Sequence, residues 1–156
     1  DESQRDNIHQ LVTASVEMGA RVAAGGTFEG LFYRPTVLDD VVADTPAYAN
    51  EVFGPVAPVV AFSDEDEAAA LAADSPYGLS LGIITRDVMR AVDFAARIPS
   101  GIVHINDQTV ADEPIIPFGG VGASGNGTRI GGDANLDAFT ETQWLTIGGE
   151  VPQYPF

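Results

Sequence analysis

Glu51-Val52-Phe53-Gly54-Pro55-Val56 and, further along, Pro117-Phe118-Gly119-Gly120-Val121-Gly122-Ala123-Ser124-Gly125 are the two stretches on which the reading of this chain turns. The first sets a carboxylate and an aromatic ring two residues apart, ahead of the apolar run Val56 to Phe62, so that a strand can hold Glu51 and Phe53 at its mouth. The second gathers glycines behind a phenylalanine and reads as a tight binding loop.

Outward from these stretches the hydrophobic periodicity predicts alternating elements. Ile8, Leu11, Val12, Ser15 and Val16 share one helical face, and Gly19 stops that helix. Asp1 reads as lying already inside it. Val22-Ala23 predicts a short strand closed by Gly25-Gly26. Tyr33 to Leu38 reads as another strand, which Pro35 makes an edge or irregular one. Thr45-Pro46 suits the start of a short helix, because proline at the first helical position gives up no hydrogen bond, and that turn delivers Glu51. Strand Val56 to Phe62 leads to a helix capped by Ser63, whose acidic first turn complements the helix dipole. Strand Leu79 to Thr85, a helix from Asp87 and strand Ile102 to Ile105 come next. Asn106 to Arg129 is a long loop of the kind that usually carries function. Asp133 to Ala138 predicts a last helix and Thr140 to Ile147 a terminal strand. The fold class expected is α/β, a parallel-rich sheet with flanking helices plus a C-terminal strand of the oligomerisation type. The domain division expected is 1–139 as a partial catalytic domain and 140–156 as strand and tail.

A chain of 156 residues with 45% hydrophobic content buries roughly two-thirds of its unfolded surface, enough for one core. Its 7 basic and 23 acidic residues give a net charge of −16, which repels nucleic acid and anionic membranes, since both require Lys and Arg to displace counterions. The apolar runs are shorter than a membrane span requires, and Asp1 to Gln10 lacks the pattern of a signal peptide. A cytoplasmic location is expected.

The two opening motifs in this order, with Ser75-Pro76-Tyr77-Gly78-Leu79-Ser80 and Gly101-Ile102-Val103-His104-Ile105-Asn106 between them, resemble the C-terminal third of NAD(P)-dependent aldehyde dehydrogenases, and the likeness runs from about Ile8 to Ile147. The run from Gly125 to Gly132 and Asn135 to Trp144 looks most like the benzaldehyde, salicylaldehyde and vanillin dehydrogenase branch. The resemblance implies oxidation of an aldehyde, aromatic in that branch, to a carboxylic acid with NAD or NADP. It implies that Glu51 grips the nicotinamide ribose, for which an ionised carboxylate has the two acceptors a cis-diol needs. It further implies that Phe53 packs beside the nicotinamide and that Phe118 lines the aldehyde pocket. The family's nucleophile is a cysteine, and this chain has none; nucleophile, general base and oxyanion-hole donor precede the matched region in that family. No catalytic residue is therefore expected within this chain, which reads as a fragment whose partners are the aldehyde, the remainder of the parent enzyme and, through the terminal strand, further copies of itself. Val110 to Ile116 departs from better-known members, so no residue role is carried over there.

Other candidates read as structural. Phe53 can also be a core aromatic pinning Gly54-Pro55, and Phe118 a loop anchor under Gly119-Gly120. Gly120-x-Gly122-x-x-Gly125 matches a dinucleotide fingerprint formally but lacks the preceding strand and following helix; its glycines serve backbone conformations forbidden to other residues. Ser124 lacks the flanking glycine of a nucleophile elbow. His104, in an apolar strand, reads as a satisfied structural histidine; neither it nor His9 sits at metal-ligand spacing, and Asp64 to Glu67 is a solvated helix start. Two rival readings stand beside the enzyme: a non-catalytic assembly fragment joined through its terminal strand, and a related reductase of acyl phosphates, which the Glu51 motif disfavours.

Overall fold

A computed structural model describes residues 1–151 and 153. The chain divides into two compact units, residues 1–75 with 92–98 and residues 76–91 with 99–156.

In the first unit helix α1 (Glu2–Glu17) is capped by Asp1, whose carboxylate accepts the Gln4 N–H. Asp1 thus precedes the helix instead of lying inside it. Strands β1 (Arg21–Ala24), β4 (Thr36–Asp39) and β5 (Val56–Pro58) form one sheet in the order β1-β4-β5, antiparallel on one side of β4 and parallel on the other. The hairpin β2 (Phe28–Glu29) and β3 (Phe32–Tyr33) stands apart. The single strand expected from Tyr33 to Leu38 is therefore two, because Pro35 between them has no N–H for a ladder. Gly25 ends β1 at φ +74°, and a side chain there would come within 2.2 Å of the Pro35 carbonyl oxygen, so only glycine lets the two backbones approach.

The core gathers Ile8 and Val12 of α1, Ala20, Tyr33, Leu38 of β4, Val41 and Ala47 of helix α2 (Pro46–Ala49), with Tyr48, Val52, Val56 and Val60 packed against it. Strand β5 stops at Pro58, short of the expected Phe62; Val59 makes one more bond to the Leu38 carbonyl and Phe62 faces solvent. Helix α3 (Glu65–Ala73) is capped by Asp64 and not by Ser63. Ser63 instead gives its N–H and hydroxyl to the Glu67 carboxylate. Those bonds, the hydroxyl first, hold Glu67 below its ordinary range. The contribution is present at neutral pH and lost as pH falls through that lowered value.

In the second unit β6 (Tyr77–Gly78) pairs antiparallel with β9 (Val121–Gly122), while β7 (Ser80–Ile83) pairs parallel with β8 (Ile102–Ile105) in full register. Helix α4 (Val88–Ala95) lies between β7 and β8 in sequence, the crossover that parallel pairing requires. Beyond Ile83 the ladder gives way to Asn106, at φ +59°, whose side-chain oxygen takes the Thr85 N–H. Helix α5 (Ala134–Phe139) ends the regular structure. The architecture is α/β, yet the sheets are mixed and not parallel-rich: two parallel pairs stand beside three antiparallel ones among the described residues. Of the antiparallel pairs only β2-β3 is a tight hairpin, and β6-β9 joins segments far apart in sequence; the helix-strand alternation announces neither.

The strand expected from Thr140 to Ile147 is not formed. Thr140 is extended, but no strand pairs with the segment, and Trp144 is 91% exposed with Leu145 and Ile147 also in solvent. A strand needs a neighbouring edge to hold its backbone groups, and this segment pairs with none among the described residues. Residues 152 and 154–156 of the expected tail lie outside the described residues.

Leu38, fully buried in the central strand, sets a test of this core. Leu38→Ala should cost about 2–5 kcal/mol, read as a lowered urea midpoint, whereas Phe32→Ala at the exposed hairpin should stay within about 0.5 kcal/mol.

Candidate functional site

Thr45 and Pro46 set the position of the segment that carries Glu51. The Thr45 hydroxyl, buried, accepts the Val42 N–H, and Pro46 occupies the first turn of α2 without wasting a donor. The next free N–H, that of Ala47, goes to the hydroxyl of Ser15 at 2.9 Å. Ser15 belongs to α1, is fully buried, and donates to the Leu11 carbonyl. Asn50 closes α2 with both its backbone and side-chain N–H on the Pro46 carbonyl. Tyr48 reaches from the same turn to the Leu71 carbonyl and the Asp74 carboxylate at the end of α3. Burial first, then Asp74, raises the Tyr48 phenol above its ordinary value. This neutral tether therefore contributes stability that is lost only as pH rises through that raised value.

Beyond α2 the chain turns tightly. Gly54 donates to the Val52 carbonyl and Val56 to the Gly54 carbonyl, two successive three-residue turns. The Phe53 carbonyl accepts from the Gln4 side chain at 2.6 Å. A Cβ on Gly54 would stand 2.3 Å from Ile8 Cδ1. Helix α1 thus grips residues 47–54 at three points. The Pro55 carbonyl then accepts from Thr36 and starts β5.

This framework leaves Glu51 and Phe53 in solvent. The Glu51 carboxylate makes no hydrogen bond or ion pair among the described residues, and Phe53 is 72% exposed. Its ring does not fill the core, so the reading of Phe53 as a core aromatic fails; Gly54 is pinned by Ile8 instead. Beside the turn runs an open groove of 540 Å³ lined by Ala24, Pro35, Thr36, Gly54, Pro55 and Val56 among others.

Phe118 lies in the second unit. Its N–H and carbonyl exchange bonds with Ile130, at 2.7 and 2.9 Å, so the backbone anchors the loop while the side chain stays 42% exposed. The bridge closes the glycine-rich stretch into a tight lobe. A Cβ at Gly101 would lie 1.8 Å from the Gly119 oxygen, one at Gly120 2.5 Å from the Ser124 oxygen, and one at Gly125 2.6 Å from the Gly120 oxygen. The glycines serve close approach of backbone to backbone more than unusual dihedral angles; within residues 119–125 only Gly122 has positive φ. β9 falls inside the glycine pattern and no helix follows it directly, so the stretch is no dinucleotide turn. The Ser124 hydroxyl accepts the Gly78 N–H. His104 differs from the expectation: its Nε2 is buried without a hydrogen-bond partner among the described residues, in register with Gly82, which has no side chain to offer one. His9 approaches the Tyr33 hydroxyl at 3.2 Å and meets Phe28 edge-on, a packing role on the hairpin. No helix of the described residues is long and apolar enough to cross a membrane.

Sequence reasoning missed Gln4, Ser15 and Tyr48, the side chains that hold the Glu51 segment. The available signal was Ser15 itself, a hydroxyl on an otherwise apolar helical face.

The chain belongs to the aldehyde dehydrogenase family, whose profile matches residues 1–145. It is 62% identical over its whole length to a vanillin dehydrogenase of Amycolatopsis sp., covering 32% of that protein, and 44% identical to a benzaldehyde dehydrogenase (NAD+) of Pseudomonas putida, again covering 32%. The crystal structure of a salicylaldehyde dehydrogenase from Pseudomonas putida G7 complexed with salicylaldehyde superposes with a TM-score of 0.91 at 41% identity, over 98% of this chain and 31% of that one. A Mycobacterium tuberculosis aldehyde dehydrogenase complexed with NAD+ gives 0.87 at 33% identity, over 97% of this chain and 32% of the other. The chain spans about a third of the length of the curated relatives it matches.

The Ile8–Gly54 contact is open to test. Gly54→Ala should cost about 1–3 kcal/mol, because buried Ile8 has little room to yield. Adding Ile8→Val, which deletes the Cδ1 the new methyl meets, should restore part of the loss in urea unfolding.

Proposed function

We propose that this chain is the cofactor-positioning and substrate-facing part of an aldehyde dehydrogenase that oxidises an aromatic aldehyde to a carboxylic acid with NAD or NADP. The observation that carries the reading is the pairing of an unpartnered carboxylate and an exposed ring, Glu51 and Phe53, on a turn that α1 holds rigidly. That donor set fits a nicotinamide riboside: two free carboxylate oxygens suit the ribose diol, and the flat apolar face of Phe53 suits the ring beside it. A bound nicotinamide dinucleotide would supply the hydride acceptor, and water the second oxygen of the acid. Glu51 would accept a hydrogen bond from each ribose hydroxyl, and Phe53 would limit how far the base can swing. Their fixed spacing matters because an error of about an ångström in attack geometry costs on the order of a hundredfold in rate.

Phe118, half exposed at the edge of the glycine-rich lobe, gives a planar apolar wall for the aldehyde. The aromatic substrate class draws on the relatives named for vanillin, benzaldehyde and salicylaldehyde. The chain contains no cysteine, so the nucleophile such an enzyme requires lies outside these residues. Residues 1–139 would be the catalytic-domain portion and 140–156 an arm. Trp144, Leu145 and Ile147, apolar and exposed, support association between copies through that arm, where an unpaired backbone finds a strand edge.

In an intact enzyme carrying this segment, Glu51→Gln, which exchanges a carboxylate oxygen for an amide nitrogen, should weaken cofactor binding by about tenfold; unchanged nucleotide titrations and turnover would refute the ribose role. Deleting residues 140–156 should lower the association state in size-exclusion chromatography, and an unaltered elution would refute the arm.

A further inference from the structure

Ser15 sits on the buried side of α1. Its hydroxyl both donates and accepts: the proton goes to the Leu11 carbonyl at 2.7 Å, and one lone pair takes the Ala47 N–H at 2.9 Å. Back-bonding to a carbonyl one turn earlier is a common habit of helical serine. The second bond is not. The first turn of any helix leaves donors without intrahelical acceptors. In α2 Pro46 removes one by having no N–H, and Tyr48 bonds the Thr45 carbonyl. Ala47 is left with a donor buried at 3% exposure, whose only acceptor among the described residues is a side chain from another helix. α2 is four residues long, so the bond at its first turn, together with the Tyr48 tether to α3, bears directly on the chain leaving its last. Asn50 and Glu51 are the residues that leave it.

We propose that Ser15 is a positioning residue for the Glu51–Phe53 turn, acting through the Ala47 N–H to set where that carboxylate and ring stand. This rests on the cofactor role given above to Glu51. The two other grips of α1, Gln4 on the Phe53 carbonyl and Ile8 against Gly54, hold the far end of the turn. At the near end Ser15 supplies the hydrogen bond from α1, beside the apolar packing of Ile8 and Val12 with Ala47. Apolar contact between α1 and α2 would permit sliding, since hydrophobic attraction has no direction; a hydrogen bond to one N–H sets both register and angle. Removing the hydroxyl leaves a buried donor unmatched, and α2 must rotate or shift for that donor to reach water.

The test uses the intact enzyme containing this segment and titrates NAD and NADP separately from the aldehyde. Ser15→Ala should raise the KM for whichever dinucleotide the enzyme uses by about tenfold with the aldehyde KM unchanged. Ser15→Cys, which refills the space with a weaker acceptor, should fall between Ala and Ser, and it decides the matter if the alanine variant does not fold. In a Glu51→Gln background Ser15→Ala should add little, because the group it positions has already lost its function. A general loss of packing would instead add fully to Glu51→Gln and would move both KM values. Lowered thermal stability with an unchanged cofactor KM, or full additivity with Glu51→Gln, overturns the proposal while leaving the ribose role intact. An unaffected Glu51→Gln enzyme overturns the ribose role and this proposal together.

Discussion

The bond from Ala47 to Ser15 lies beneath everything the exposed turn can do. Leu38, Val12 and Ile8 belong to the buried apolar cluster that packs α1 on the sheet, but apolar burial alone tolerates small displacements. A fully buried serine hydroxyl does not tolerate them, because sliding by one residue would strand the Ala47 donor away from water. Gln4 and Ile8 repeat the constraint further along, one by hydrogen bond and one by contact with a glycine that has no room for a methyl. Polar specificity thus lies in Gln4 and Ser15 along the path between α1 and Phe53, beside that of Thr36 and Arg21 in the sheet.

Much of this was legible in residue order, and the reasons differ from one element to the next. β8 is expected at Ile102–Ile105 and occurs there, because an apolar run bounded by Pro99-Ser100-Gly101 and Asn106 admits few other lengths. α2 was legible from Thr45-Pro46 alone. The Thr140–Ile147 strand was not, since β-branched and aromatic content describes what a segment does beside an edge and says nothing of whether an edge is present. The cap of α3 moved by one residue from Ser63 to Asp64 because both can cap, and the choice went to the arrangement in which Glu67 returns to Ser63.

The candidate site residues divide in the same manner. Glu51, Phe53 and Phe118 could be singled out by motif; Gln4, Ser15 and Tyr48 could not, since a positioning role exists only in three dimensions. The glycine-rich lobe makes the same point. Its composition announces a tight loop, but whether each glycine answers a positive φ or a crowded backbone depends on which carbonyl lies opposite. At Gly101 that carbonyl belongs to Gly119, a neighbour no local pattern reveals.

Glu51 has no ion-pair partner among the described residues, and four of the chain's arginines are engaged elsewhere. All seven basic residues are arginines. Arg5 pairs with Asp6 and lies over the Phe28 ring; Arg21 pairs with Asp39 and Asp40; Arg97 pairs with Asp66; Arg129 faces the carbonyls of Gly120, Gly127 and Thr128. In a chain of net charge −16 a lone carboxylate is the ordinary condition, yet a guanidinium forms bidentate pairs wherever geometry allows. A fork closed on Glu51 would occupy both acceptor oxygens and leave none for a diol. These four arginines are committed to hairpin, sheet edge, helix and lobe, and the turn between Asn50 and Gly54 is left with one acid, one ring and no counter-charge among the described residues. A carboxylate kept in that state can accept two hydroxyl hydrogen bonds without first breaking a bond.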